Sequence, residues 1–366
     1  MLLRMLAVSL AAAACSSAPA ETADAATGPT SSSATTSAGS ATTSAGSAMG
    51  EPTGATGGSD TMSGPDELLR VTDVTMRCTH NSYHIEPAMP FDDSHRYTQA
   101  PLDVQLGDLG VRAFELDVHS GAGFPVHHIP FGVDDLSTCA DLGACLGVID
   151  GWSAANPAHH LLVVWIEIKD ELDGVFIEDY AAFDAVIRGA LPPERLYEPD
   201  EFKRGQATLR EALLAEGWPT LGETRGQVMV VLLDVDDPHN RDYTKDYTTL
   251  DGRAMFARAG DSQYEMPWAV IAKIDDPTDG PAIAAARAAG LLIASNTGSA
   301  GKSDADNAAR LQGGIDNGSH MLCDDFPAAV PGQDYVLDLP GGAPSICNPQ
   351  TAPKACTSAA IESLGG

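Results

Sequence analysis

From Glu67 to Pro340 short apolar runs alternate with longer amphipathic stretches, and eight such runs can be counted. They are Arg70–Met76, Val111–Val118, Phe124–His128, Leu161–Ile168, Val228–Leu233, Trp268–Ile274, Leu291–Ser295 and His320–Cys323. Segments with helical spacing lie between many of them: Cys139–Ala155, Asp179–Leu191, Leu209–Glu216, Pro281–Ala289 and Asp304–Asn317. Apolar strands alternating with helices imply a parallel sheet buried on both faces. Eight repeats of that unit imply an α/β fold closed into a (β/α)8 TIM barrel. The rival, an open doubly wound sheet, carries a glycine-rich phosphate loop after its first strand. Here the first run leads into Thr79-His80-Asn81-Ser82 instead. The 366 residues accommodate a barrel of about 250 residues with additions at its ends.

Those additions differ from the barrel in composition. Arg4 gives the N-terminus a short positive region, Met5 to Ala14 is apolar, and Ala12-Ala13-Ala14-Cys15 resembles a bacterial lipobox. The stretch has the length of a signal peptide and is too short to span a membrane. The expectation is a signal peptide over 1–14, lipidation at Cys15, and a cell-envelope or extracellular location as an outer-membrane lipoprotein. Residues 15–66 form a Ser/Thr/Ala/Gly-rich linker containing ATTSAGS twice in tandem. Such a segment buries too little surface to offset chain entropy, so a disordered tether is expected. The barrel is expected over 67–340 and a short disulfide-stapled tail over 341–366. Six cysteines follow Cys15. In an exported chain these read as disulfides, with Cys139–Cys145 and Cys347–Cys356 as local pairs and Cys78–Cys323 joining the first and last strands. The net charge of −30 repels nucleic acid, which is excluded as a partner, and suits a cation that prefers carboxylate oxygens. The sequence shows no basic or aromatic membrane face, and a monomer is expected.

A barrel of this kind carries its active site at the C-terminal ends of its strands. Titratable residues recur there: His80 and Asn81, Glu115 and Asp117, His127 and His128, Glu167 and Lys169, Asp234, Lys273, Asp324 and Asp325. Glu115 and Asp117 are two apart on a strand and therefore share a face. Two carboxylates that close repel unless a cation or proton intervenes. With Asn81 and Glu167 they form an all-oxygen set suited to Ca2+ or Mg2+ rather than Zn2+. His80 and His128 are the acid/base candidates, because imidazole titrates near neutral pH. His127 points opposite to His128, so one of the two enters the mouth. Lys169 shares a face with Glu167 and is a candidate for a substrate phosphate or ring hydroxyl, as are Lys273 and Asp325. His84, His95, His159 and His160 read as structural or surface residues, and His239 as a loop residue without a role. No Gly-x-Ser-x-Gly elbow and no zinc-spaced Cys/His set occurs.

These same residues carry a resemblance. Cys78-Thr79-His80-Asn81-Ser82-Tyr83, Phe114-Glu115-Leu116-Asp117-Val118, Val126-His127-His128-Ile129-Pro130 and Trp165-Ile166-Glu167-Ile168-Lys169-Asp170 resemble, in order, catalytic blocks of the phosphoinositide-specific phospholipases C. Gly217-Trp218-Pro219-Thr220-Leu221 with Arg225-Gly226-Gln227-Val228, and Leu322-Cys323-Asp324-Asp325-Phe326-Pro327, are similar to segments of the bacterial calcium-dependent branch. The resemblance spans roughly residues 70–330. It implies Ca2+ held by Asn81, Glu115, Asp117 and Glu167, with Glu115 or Asp117 also acting as base. His80 would assist at the phosphate, and His128 would be the general acid on the leaving diacylglycerol oxygen. The inositol 2-hydroxyl would attack phosphorus to give a cyclic phosphate. One departure is the end of the seventh run, Ala294-Ser295-Asn296-Thr297, where relatives commonly carry an arginine. Two other readings stand beside this one: a barrel phosphodiesterase of glycerophosphodiesters or other soluble diesters, and a non-catalytic surface-binding lipoprotein. The first lacks its expected His-Arg-Gly opening here, and the second predicts losses among the histidines and carboxylates that are not seen.

Overall fold

The computed structural model describes residues 64–235 and 237–362. The signal peptide, Cys15 and the linker up to residue 63 lie outside the described residues. Eight strands form one parallel sheet: β1 (Val74–Thr79), β2 (Ala113–Val118), β3 (Leu162–Ile168), β4 (Val228–Leu232), β5 (Phe256–Ala257), β6 (Ile271–Lys273), β7 (Leu292–Asn296) and β8 (Met321–Asp324). Their order is β5-β4-β3-β2-β1-β8-β7-β6. A single parallel bridge, Arg258 to Ile271, links the two ends, so the sheet is a nearly closed barrel. β2 and β4 are buried at every position, as strands covered on both faces must be.

Helix starts follow their capping residues. Asp141 accepts from Ala144 N (2.8 Å) to open Leu142–Ala155, and Asp179 accepts from Ala182 N (3.0 Å) to open Tyr180–Ala190. Ser303 caps Asp304–Asn317 in the same way, and that helix stops at Gly318, whose φ of 82° suits glycine. The helices Leu209–Glu216 and Asp304–Asn317 have the bounds expected from sequence.

One expected strand is wrong. Phe124–His128 is not a barrel strand: Val126 folds back against Val118 through an isolated antiparallel bridge. Only residues 119–123 separate it from β2, whereas a parallel neighbour needs a crossover of about a dozen residues. Gly121 and Gly123, with φ of 144° and 78°, make the reversal. The true fifth strand, Phe256–Ala257, is two residues long and offers no periodicity to read. His127 and His128 therefore sit on the loop after β2.

The C-terminal residues expected to form a tail belong to the barrel. Strand β9 (Ser345–Cys347) pairs antiparallel with the first half of β1, because β2 reaches β1 only at Cys78. Ile361 is buried, and Glu362 accepts from Arg112 Nε at 2.8 Å. At the other boundary Pro65–Leu68 is already helical, and Asp66 pairs with Arg225 at 2.6 Å. All three expected disulfides are present: Cys78–Cys323, Cys139–Cys145 and Cys347–Cys356. Among the described residues no helix is long and apolar enough to cross a membrane.

Candidate active site

β1 and β2 are tied at their C-terminal ends by Ser82, which donates its N–H to the Glu115 carbonyl and accepts the Glu115 N–H on its hydroxyl, both at 2.8 Å. That clasp sets the loop carrying His80 and Asn81 over Glu115 and Asp117. Asn81 adopts a φ of 41°, a left-handed conformation that asparagine tolerates. β2 pairs in register with β3, Asp117 opposite Glu167. Carboxylate oxygens of Glu115, Asp117 and Glu167 consequently lie within 4.8 Å of one another.

Each acid has a different environment. Glu115 is buried, which alone would raise its pKa, but Lys273 Nζ at 2.7 Å and the nearby His80 bring it down to about 2. Glu167 is pushed up by burial and by Asp117, against the pull of Lys169 Nζ at 2.9 Å. Asp117 is wholly buried, and neither of its oxygens has a hydrogen-bond partner; Lys169 Nζ is 3.4 Å away. The side-chain oxygen of Asn81 is likewise buried and unpartnered. Unsatisfied buried oxygens are costly, and these converge where a hard cation would satisfy them. The residues present therefore fit Ca2+. Lys169 occupies the electrostatic role of that cation, bridging two of the acids. Burial works against its charge, but Asp117 and Glu167 outweigh that and raise its pKa.

His80 follows β1 and donates to Asp325 Oδ1 through Nδ1 at 2.8 Å, with Nε2 3.8 Å from Glu115. Burial opposes its charge, yet Asp325 and Glu115 raise its pKa to about 9. Asp325 is turned inward: its second oxygen accepts from Ala300 N at 2.9 Å. It stands behind His80 rather than in the mouth. Asp324 is consumed by Thr297, Gly298 and Phe326. Lys273 is buried against Glu115.

His128 is held on a loop that closes on itself, Ile129 and Asp134 exchanging both backbone hydrogen bonds (2.9 and 3.1 Å). Its Nδ1 faces Asp134 Oδ2 at 2.8 Å, which turns Nε2 away from Asp134. His127 instead stacks on His119 at 3.8 Å. Rings connect the two catalytic candidates: His80 to Tyr97 at 6.5 Å, Tyr97 to His84 at 4.3 Å, and His84 to His128 at 6.3 Å.

Sequence reading missed several neighbours. His84 and His95, whose loop positions imply structural or surface residues, both face Asp134, at 3.0 Å each. Hydrogen bonds from His128 and His84 hold the Asp134 carboxyl well below the usual range although burial pushes it up. Arg258 closes β5, donates to the Lys273 carbonyl at 2.9 Å, and has a buried Nε without a partner. It follows a two-residue strand whose sequence carries no periodicity to mark it. His239, given no role from sequence, bridges Asp170 (3.0 Å) and Tyr180 (2.8 Å) on the wall of a cleft of ≈ 600 Å³ that includes Glu167 and Asp234. The loops after β1, β2 and β3 also expose Met89, Phe91, Phe131, Val133, Leu136, Val175 and Phe176. The expected absence of an aromatic face is thus corrected: separated in sequence, these side chains share the end of the barrel that carries the site.

A family model described as "Phosphoinositide phospholipase C, Ca2+-dependent" matches residues 120–349, a range that includes His128 and Glu167. No curated protein sequence matches the chain. A Ca2+-dependent phosphatidylinositol-specific phospholipase C from Streptomyces antibioticus superposes with a TM-score of 0.52 at 21% identity, covering 71% of this chain and 96% of its own. A calcium-dependent phosphoinositol-specific phospholipase C from a Gram-negative Pseudomonas sp., in its apo form, gives 0.57 at 17%, over 77% and 96%. Its myoinositol complex gives 0.55 at 17%, over 78% and 99%. These structural likenesses show the fold.

Proposed function

Because the chain belongs to the calcium-dependent phosphoinositide phospholipase C family and is a phosphodiesterase, we propose that it cleaves the glycerol–phosphate bond of phosphatidylinositol-type lipids. The observation that carries this reading is the pair of unpartnered Asp117 oxygens beside Glu115 and Glu167. Asn81, Glu115, Asp117 and Glu167 would hold Ca2+, which supplies positive charge at the phosphate and acidifies the attacking hydroxyl. His80, with a pKa of about 9, is an imidazolium at neutral pH. It donates to a phosphate oxygen, and Asp325 positions it. Glu115 or Asp117, the two carboxylates that share a face of β2, accepts the proton of the inositol 2-hydroxyl. His128, with Asp134 accepting from Nδ1, presents Nε2 to protonate the leaving glycerol oxygen. Lys169, which Ca2+ on Asp117 and Glu167 would release, and Arg258 at the end of β5 are the cations available to phosphate or ring hydroxyls. The exposed side chains Phe91 and Phe131 support a substrate presented at a lipid surface. Lipidation at Cys15 would tether the enzyme beside such a surface.

Phosphorus NMR on phosphatidylinositol vesicles and on glycerophosphoinositol, with Ca2+ or with chelator, tests the reading. Calcium-dependent release of inositol phosphate or its cyclic ester is expected. His80→Ala and His128→Ala should each cost about 10²- to 10⁴-fold in turnover. Turnover retained in both variants would sink the mechanism.

A further inference from the structure

Asp134 Oδ2 lies 2.8 Å from His128 Nδ1 and 3.0 Å from His95 Nδ1. One ligand atom from each of the three side chains lies within 4.8 Å of those of the other two. A tetrahedral zinc centre with Zn–N and Zn–O bonds near 2.0–2.1 Å spaces its ligands by about 3.3–3.4 Å, close to this arrangement. His95 Nδ1 adds an independent sign. It is buried and has no hydrogen-bond partner, although Asp134 Oδ2 is 3.0 Å away, because the approach is out of line. A cluster held only by hydrogen bonds would aim that N–H at the carboxylate; an imidazole lone pair bound for a metal need not.

The backbone preorganises the three ligands. Asp92 caps the single turn Asp93–His95 through Ser94 N at 2.9 Å. The Ile129–Asp134 backbone pair sets His128 and Asp134 side by side, and Thr138 N donates to the Tyr83 carbonyl at 2.8 Å to fasten the loop. His84 completes a second layer. Its Nδ1 donates to the Tyr97 carbonyl at 3.0 Å while Nε2 faces Asp134 Oδ1 at 3.0 Å, orienting the carboxylate. His128 is 21% exposed, so the cluster is reachable from solvent.

We propose that His95, His128 and Asp134 form a second, borderline-metal site that takes Zn2+, and that its occupancy switches the enzyme off. The two clusters share no residue. The all-oxygen set of Glu115, Asp117 and Glu167 suits a hard cation, and two imidazoles with one carboxylate suit zinc, so ligand chemistry alone sorts the ions. With Zn2+ on Nδ1 the His128 ring keeps a proton on Nε2 but cannot become the imidazolium that acts as general acid. The inhibitory part rests on the role proposed for His128; the metal site does not.

Zinc is titrated calorimetrically into the full chain with Ca2+ in excess, and Co2+ is added in parallel to read its visible spectrum. One equivalent of Zn2+ is expected to bind and Co2+ to show four-coordinate bands. His95→Ala, and separately His95→Gln in case alanine disturbs the loop, should weaken zinc binding by about tenfold or more. Both should keep calcium-dependent turnover. In the wild type turnover should fall with zinc occupancy and return with a zinc-selective chelator. No zinc bound, or equal zinc affinity in both His95 variants, would overturn the site. Stoichiometric zinc with undiminished turnover would overturn the switch and the general-acid role of His128.

Discussion

Asp117 concentrates the conflict between stability and activity in one side chain. A wholly buried carboxylate with no hydrogen-bond partner carries a desolvation cost that, in the calcium-free chain, Lys169 at 3.4 Å offsets only in part. Asp117→Asn should therefore raise the stability of the chelated protein by about 1–3 kcal/mol, since a buried charge is replaced by a neutral amide of the same shape. The same variant should lose most of the calcium-induced rise in Tm and most turnover. Thermal melts with chelator and with Ca2+ check both halves; a lower Tm in chelator would mean that Lys169 satisfies Asp117 by itself. The oxygen set was legible in sequence because Glu115 and Asp117 sit two apart on a strand and Glu167 ends another, so periodicity alone aimed them together. Asp134, His84 and His95 were not legible. They come from loops, where side-chain direction follows backbone bridges such as Ile129–Asp134 rather than any period. The spacing of Asp134 six residues after His128 was the only trace of it.

At the scale of elements, β1 is the member on which the barrel depends most. It pairs with β2, β8 and β9, and Cys78 lies opposite Cys323 in the β1–β8 register. That disulfide closes a loop with a sequence separation of 245 residues, so chain entropy predicts a large effect. A Cys78→Ala, Cys323→Ala variant should lose roughly 3–5 kcal/mol, read as a lower urea midpoint together with a larger m-value, because the denatured chain without its long cross-link is more expanded. Removing Cys139–Cys145, which spans six residues, should cost less. The loops bear a separate prediction. Phe91→Ser with Phe131→Ser should reduce turnover of vesicle-bound phosphatidylinositol by about tenfold or more, from the apolar burial lost at the lipid surface. Turnover of soluble glycerophosphoinositol should be unchanged, and equal losses on both substrates would remove the case for an interfacial role. Strands with long apolar runs and helices with caps were readable from sequence. The two-residue β5 was not, because its position is set by β4 and the Arg258–Ile271 bridge rather than by its own pattern.

Across the whole molecule the two ends of the barrel do different work. The C-terminal end gathers charge around Asp117. The N-terminal end buries Arg112 against Glu362 and keeps three histidines neutral in the interior, His159 and His160 before β3 and His320 before β8. Burial lowers His159 and His320 to about 4, with the Arg112 charge adding to the effect on His159 and the Arg287 charge to that on His320, and it lowers His160 well below the usual value. His159 donates Nδ1 to the His160 carbonyl at 2.7 Å, and His320 accepts the Ile293 N–H on Nδ1 at 3.0 Å, so each ring has a defined neutral tautomer. In the unfolded chain these rings titrate near the ordinary value of about 6.5. Between that value and about 4 the unfolded state holds protons that the native state does not. Stability is thus fully present above 6.5 and lost as pH falls through the window. At pH 5 the loss amounts to roughly 2 kcal/mol each for His159 and His320. Urea midpoints of the chelated protein at pH 7 and pH 5 read the total, to which carboxylates also contribute. His159→Asn with His320→Asn isolates the histidine share, because the asparagine side chain can replace each Nδ1 contact without titrating. The variant is expected to begin less stable at pH 7 and to lose several kcal/mol less than the parent between the two pH values. An equal loss in parent and variant would assign the acid sensitivity to the carboxylate end of the barrel instead.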